Sequence, residues 1–181
     1  MPRIDIPSRD DAPAETHAIL DTFGKRFGFV PNLFRLMAVS PPALQAFVGI
    51  QGALSKSMDI NTIEAMGVAV SEDSGCDYCL ATHTYLGSHF GKLDAEELSL
   101  NRQGTSGDAQ RAAAVRLAKA IANKRGKISD SELAEVRQAG FSDAQIITIA
   151  ALTAQFLMTN FMNNVSQIDL DFPPAAKVKA A

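Results

Sequence analysis

Two cysteines three residues apart, Cys76 and Cys79, with a histidine four residues after the second, constrain the fold of this chain more than any other feature. They are its only cysteines, and Gly75 and Gly91 bracket the segment that holds them. At about 100° per residue, a helix puts Cys76, Cys79 and His83 on one face. Residues three apart on a helix lie about 5–6 Å from each other, within reach of a disulfide. Cys79 and His83 are an i,i+4 pair, so thiol and imidazole can meet. The pattern predicts a helix from Cys76 to Phe90, capped by Asp73 or Ser74. Cys76 then falls in a first turn whose unpaired N–H groups favour a thiolate.

A second helix is expected over Ile60 to Ser71, with Ile63, Met66, Gly67 and Val70 on one side and Glu64 within it. Glu72 to Gly75 is a short turn, so the two helices should run antiparallel. Glu64 and His83 are each seven residues from the turn region, roughly 10 Å along their helices. A carboxylate and an imidazole at equal height across a helical hairpin can hydrogen-bond, which fixes the imidazole tautomer. Glu64, His83 and Cys79 read as a relay, with Cys76 placed to close a disulfide.

No run alternates in the manner of a strand, so the chain reads as all-α. That separates this C-x-x-C from the thioredoxin pattern, which needs strands around the motif. Residues 1–13 read as an extended arm and 169–181 as an irregular tail, within a single domain over 1–181. Between them, helices are expected over Ala14 to Phe27, Pro31 to Met37, Ala43 to Lys56, Ala95 to Leu100, Asp108 to Asn123 and Asp130 to Gln138. Asp94 and Ser129 each have a glutamate three residues on, the capping-box spacing. A last helix, Asp143 to about Asn164, is apolar on more than one side, as expected of a central helix or a subunit contact.

Net charge is −3, which argues against a dedicated nucleic-acid surface. No apolar run reaches about 18 residues, and the N-terminus lacks a signal-peptide core, so no membrane role and a cytoplasmic location are expected. In a reducing compartment a C-x-x-C pair suggests redox work or a metal. Two buried inert thiols are one alternative. Zinc held by Cys76, Cys79, His83 and Glu64 is another, but structural zinc usually draws ligands from two knuckles, and one is present.

Glu, eleven residues, Cys, two residues, Cys, three residues, His resembles the alkylhydroperoxidase D (AhpD) family of the carboxymuconolactone decarboxylase-like superfamily. Phe27-Gly28-Phe29-Val30-Pro31-Asn32-Leu33-Phe34 is similar to the entry segment of its peroxidase-related branch. Thr159 to Asn164, followed by Asp171-Phe172-Pro173, is similar to its exit segment. The resemblance implies an AhpD-like helical fold and a cofactor-free, metal-free thiol peroxidase with an antioxidant role. By the same resemblance Cys79 attacks the peroxide, Cys76 resolves the product to a disulfide, and His83 and Glu64 form the proton relay. Some relatives carry a histidine before the second cysteine, where this chain has Tyr78, a possible auxiliary residue. The resemblance further implies a hydroperoxide substrate, a dithiol reductant such as a lipoylated protein, and a homo-oligomer, trimer or hexamer. A disulfide reductase or redox sensor stands as the alternative function. A non-enzymatic helical oligomer with structural thiols or zinc is a further one.

Overall fold

The computed structural model describes residues 2–176 and has, among them, nine α-helices and no strand. After a 3₁₀ turn at Ala14–Thr16 come α1 (His17–Phe27), α2 (Asn32–Ala38) and α3 (Pro41–Leu54). The central hairpin is α4 (Ile60–Asp73) and α5 (Asp77–His89). Then follow α6 (Ala95–Arg102), α7 (Ala109–Lys124), α8 (Asp130–Gln138) and α9 (Asp143–Ser166).

The hairpin is central because α4 is covered on nearly every side. Ala65, Met66, Val68, Ala69 and Val70 are all fully buried. The alanines Ala113, Ala114 and Ala118 of α7 let that helix approach α4 closely, and α9 closes the core with Ile149, Leu152 and Phe156. A second apolar cluster joins α1, α2 and α3 through Leu20, Phe23, Phe34, Met37, Leu44 and Phe47. The Phe23 and Phe34 rings stack at 3.6 Å. Cys76 and Cys79 lie in a small third cluster with Leu36, Tyr78 and Ile168.

The turn that aligns α4 and α5 is a Schellman motif. Cys76 N–H donates to Ser71 O and Gly75 N–H to Glu72 O, with Gly75 at φ +60°. Only glycine takes that left-handed position without cost. Cys76 therefore ends one helix and caps the next. Its backbone is extended, and its sulfur accepts the Cys79 N–H at 3.2 Å. This corrects the expected start of the helix: Cys76 is the cap, not a first-turn residue, and neither Asp73 nor Ser74 serves. Glu72 and Asp73 belong to the last turn of α4, paired with Arg102 and Lys119.

Other boundaries shift by a few residues, as helix ends do. Of the two expected capping boxes, Ser129 with Glu132 forms. Asp94 does cap α6, but Glu97 turns away from it. Its carboxylate accepts from Ser106 Oγ, Gly107 N, Asn101 Nδ2 and Arg111 Nη1 instead. Burial opposes ionisation there, yet these donors outweigh it and hold the group at about 2. A carboxylate lowered in the folded state adds stability above its unfolded value of about 4.3, lost as pH falls towards 2. Glu97→Gln is thus expected to cost about 1–3 kcal/mol at pH 7, and the gap to wild type in urea unfolding should narrow below about pH 4 and close only near pH 2.

By length and mean hydropathy alone α9 could cross a membrane, although polar residues interrupt its apolar run. Its Thr153, Gln155, Thr159, Asn160 and Asn163 are buried among the other helices. Part of the opposite face is bare: Ile147, Phe161 and Val165 are 70%, 61% and 62% exposed. As far as residue 176 the segment after α9 has no helix and is anchored, while residues 177–181 of the expected irregular tail lie outside the described residues. Ile168 and Phe172 are buried, and Asn32 N donates to the Asp171 carboxylate at 2.7 Å.

Candidate active site

The hairpin brings Glu64 and His83 together across α4 and α5, with Glu64 Oε2 2.7 Å from His83 Nδ1. Both side chains are largely shielded from solvent. A proton on Nδ1 donates to the carboxylate, which leaves Nε2 as the free base of the ring. The ring lies directly over Gly67: a Cβ built on that glycine would sit 2.5 Å from His83 Nδ1. Phe156 from α9 meets the ring edge-on at 5.1 Å. Carboxylate, glycine and phenyl ring together allow the imidazole one orientation.

Cys76 and Cys79 are disulfide-bonded, with Cα atoms 5.3 Å apart. They are only 1% and 3% exposed. Cys79 Sγ accepts a hydrogen bond from Asn163 Nδ2 at 3.2 Å. No hydrogen bond joins His83 to either sulfur in this closed form. Cys79, His83 and Glu64 share a cavity of about 290 Å³, walled by Phe23, Phe27, Phe34, Phe47, Phe156 and Phe172. Gln51, Gln155 and Asn163 also line it, and their amide oxygens have no hydrogen-bond partner among the described residues. The cavity is thus apolar in body, with a disulfide, one base and three acceptors at its wall.

Tyr78, between the cysteines, points its hydroxyl into a different network. It donates to Asp171 Oδ2 at 2.5 Å and accepts from Leu33 N at 3.1 Å. Burial, with the neighbouring Asp171 carboxylate, pushes the phenol above its usual range. Burial likewise raises Asp171, against the donors Tyr78 and Asn32 N. The phenol therefore stays protonated and ties the C-terminal segment to α2 and α5. That segment delivers Phe172, which stacks on Tyr85 at 4.3 Å and lines the cavity. Tyr78→Phe should cost about 1–3 kcal/mol in denaturant unfolding and change the rate of chemistry at the cysteines far less than loss of His83.

Three roles in this site are not legible in the sequence: Gly67 as the seat of the imidazole, Asn163 as the donor to Cys79, and Phe172 as a cavity wall. His89 lies outside, on the surface, stacked on Tyr85. His17 Nε2–H donates to Ala12 O, in the turn that precedes its own helix, at 2.9 Å. Neither here nor elsewhere do the described residues hold a group of three or more His, Cys, Asp or Glu side chains arranged for a metal, so Cys76, Cys79, His83 and Glu64 do not form the zinc site weighed as an alternative.

The same architecture recurs in solved structures. An AhpD-core, peroxidase-related protein from Ralstonia eutropha JMP134 is 24% identical, with 94% of this chain and 92% of that one covered, at a TM-score of 0.83. A peroxidase-related protein from Silicibacter sp. TM1040 is 26% identical over 97% of this chain and 92% of that one, at a TM-score of 0.76. The debrominase Bmp8, solved as a cysteine-to-alanine variant with 2,3,4-tribromopyrrole, is 19% identical over 93% and 91%, at a TM-score of 0.76. No family model matches the sequence, and no curated protein does. The protein therefore has an all-helical, AhpD-like fold of the peroxidase-related kind. The neighbours that share this fold are named for different activities, peroxidase-related for two and debrominase for the third.

Proposed function

We propose that this protein is a cofactor-free thiol peroxidase that reduces organic hydroperoxides through a Cys76–Cys79 dithiol/disulfide cycle. The observation that carries the reading is the Glu64–His83 pair sharing one apolar cavity with Cys79. In the reduced protein His83 Nε2 takes the Cys79 proton, and Glu64 stabilises the imidazolium through Nδ1. The thiolate attacks the distal peroxide oxygen, the O–O bond breaks, and His83 returns the proton to the departing alkoxide. Cys76 sulfur then displaces hydroxide, leaving as water, from the Cys79 sulfenic acid, which forms the disulfide. The phenyl walls suit an organic hydroperoxide, whose O–H can donate to an amide oxygen of Gln51, Gln155 or Asn163 while its body is buried. A dithiol, such as one carried by a lipoylated protein, restores both thiols by exchange.

The aromatic walls favour a second reading. The same two electrons can remove a halogen from an aromatic substrate, the activity named for the debrominase neighbour. Stopped-flow oxidation of the reduced protein by cumene hydroperoxide, hydrogen peroxide and 2,3,4-tribromopyrrole decides between them. Oxidation by cumene hydroperoxide is expected to exceed that of free cysteine by about a hundredfold or more. A rate no better than free cysteine with every hydroperoxide would sink the peroxidase. Bromide release would then point to dehalogenation, and fast dithiol exchange alone to a disulfide reductase.

We also propose that the chain self-associates along α9. Ile147, Ala151, Ala154, Met158, Phe161 and Val165 recur at alternating four- and three-residue intervals, the seam of a helix pair. Light scattering should give a mass above that of one chain, and Phe161→Glu with Val165→Glu should return it to the monomer.

A further inference from the structure

The disulfide forms a partition between two cavities, one largely apolar and one of mixed lining with more polar groups. Cys79 lines the apolar one, and Cys76 does not. Cys76 lines a second cavity of about 480 Å³, and Cys79 does not. This second cavity is walled by Asp77, Asn164, Gln167 and Asp169, with Leu170 from the C-terminal segment. Asn163 and Tyr78 stand between and line both.

Disulfide exchange is a displacement at sulfur in which nucleophile, attacked sulfur and leaving sulfur stand in line. Attack on Cys79 must come from the apolar side, attack on Cys76 from the polar side. The first route takes the dithiol through the phenyl-walled cavity where the oxidant reacts; the second does not. We propose that the polar cavity beside Cys76 is the entry site for the dithiol reductant, separate from the site where the oxidant reacts. The inference rests on the dithiol/disulfide cycle proposed above.

One thiolate of the reductant bonds to Cys76 Sγ, the Cys76–Cys79 bond breaks, and the electron pair leaves on Cys79. Asn163 Nδ2, 3.2 Å from that sulfur, is already placed to hold the thiolate. The second thiol of the reductant, deprotonated, then attacks its own mixed-disulfide sulfur and expels Cys76 as thiolate. The reductant leaves as a cyclic disulfide, and two electrons remain on the protein pair. The leaving sulfur of this step is the attacking sulfur of the next cycle, generated in the oxidant cavity while the reductant occupies the other one. Asp77 and Asp169 make the entry acidic, so a neutral dithiol enters more readily than an anionic one.

The test follows the two half-reactions separately. The disulfide is formed with diamide, so the reductive half needs no hydroperoxide, and an unreactive hydroperoxide would count against the peroxidase alone. Asn164→Trp and Leu170→Trp each narrow the polar cavity. With folding checked by circular dichroism, reduction by dithiothreitol is expected to slow about tenfold or more, with cumene hydroperoxide oxidation held within about twofold. Val48→Trp, in the apolar cavity, should do the reverse. Quenching the reduction with iodoacetamide should leave the reductant on Cys76 and the alkyl group on Cys79. The proposal is overturned if both polar-cavity variants are reduced as fast as wild type, if Val48→Trp slows reduction as much as they do, or if the trapped reductant is found on Cys79.

Discussion

Cys79→Ser is expected to consume organic hydroperoxide no faster than buffer, a loss of at least about a thousandfold. A serine hydroxyl stays protonated beside a neutral imidazole and forms no sulfenic acid. Asn163 can still donate to its oxygen, so the fold should survive, with thermal unfolding close to that of reduced wild type. Cys76→Ser should behave differently. It keeps the attacking sulfur, so it should react once at a near wild-type rate and then stall for want of a resolving thiol. A steady-state assay sees both variants as dead; a single-turnover assay separates them. The contrast assigns the two roles, which the equal burial of the sulfurs does not.

Gly67→Ala is the second large effect, and it comes from one methyl group. The imidazole occupies the space above this glycine, with Nδ1, Cγ and Cε1 all within 2.7 Å of where a Cβ would stand. No ring tolerates that, so His83 must leave its place and break its bond to Glu64. Displacing a catalytic group by about 1 Å can cost about a hundredfold, and that loss in hydroperoxide oxidation is expected here. Stability should not fall in proportion, because alanine is favoured over glycine in a helix interior by about 1 kcal/mol. Activity falling with the melting temperature nearly unchanged would mark displacement of the ring. A fully active Gly67→Ala protein would show that His83 need not lie where the structure has it.

These two cases also mark how far the sequence could be read. The Glu64–His83 contact was legible because it needs only local rules: the phase of a helix, the length of a turn and equal distances from it. That Cys79 and His83 share a face of one helix was legible for the same reason. Gly67 was seen as part of an apolar face, but what lay above it depended on a rotamer of the partner helix. Asn163 is 84 residues from Cys79 in the chain, and no period or spacing links them. Phe172 sits in a segment without regular structure, held by a carboxylate on a tyrosine and a backbone N–H, a contact that no propensity encodes. The cap of α5 was misplaced for a different reason. Asp and Ser are strong capping residues, and both precede Gly75, but the Schellman turn at that glycine makes Cys76 the first residue free to cap.

The central claim is that a thiolate at Cys79, activated by His83 and Glu64, takes an oxygen atom from a hydroperoxide. It is tested most directly by intact mass and peptide mapping of Cys76→Ser after one equivalent of cumene hydroperoxide. The account predicts one added oxygen, on Cys79, trapped by a sulfenic-acid reagent and formed more slowly when Glu64→Gln is added to the same protein. An unmodified mass after the hydroperoxide is consumed, or oxygen found only on methionine, would contradict it.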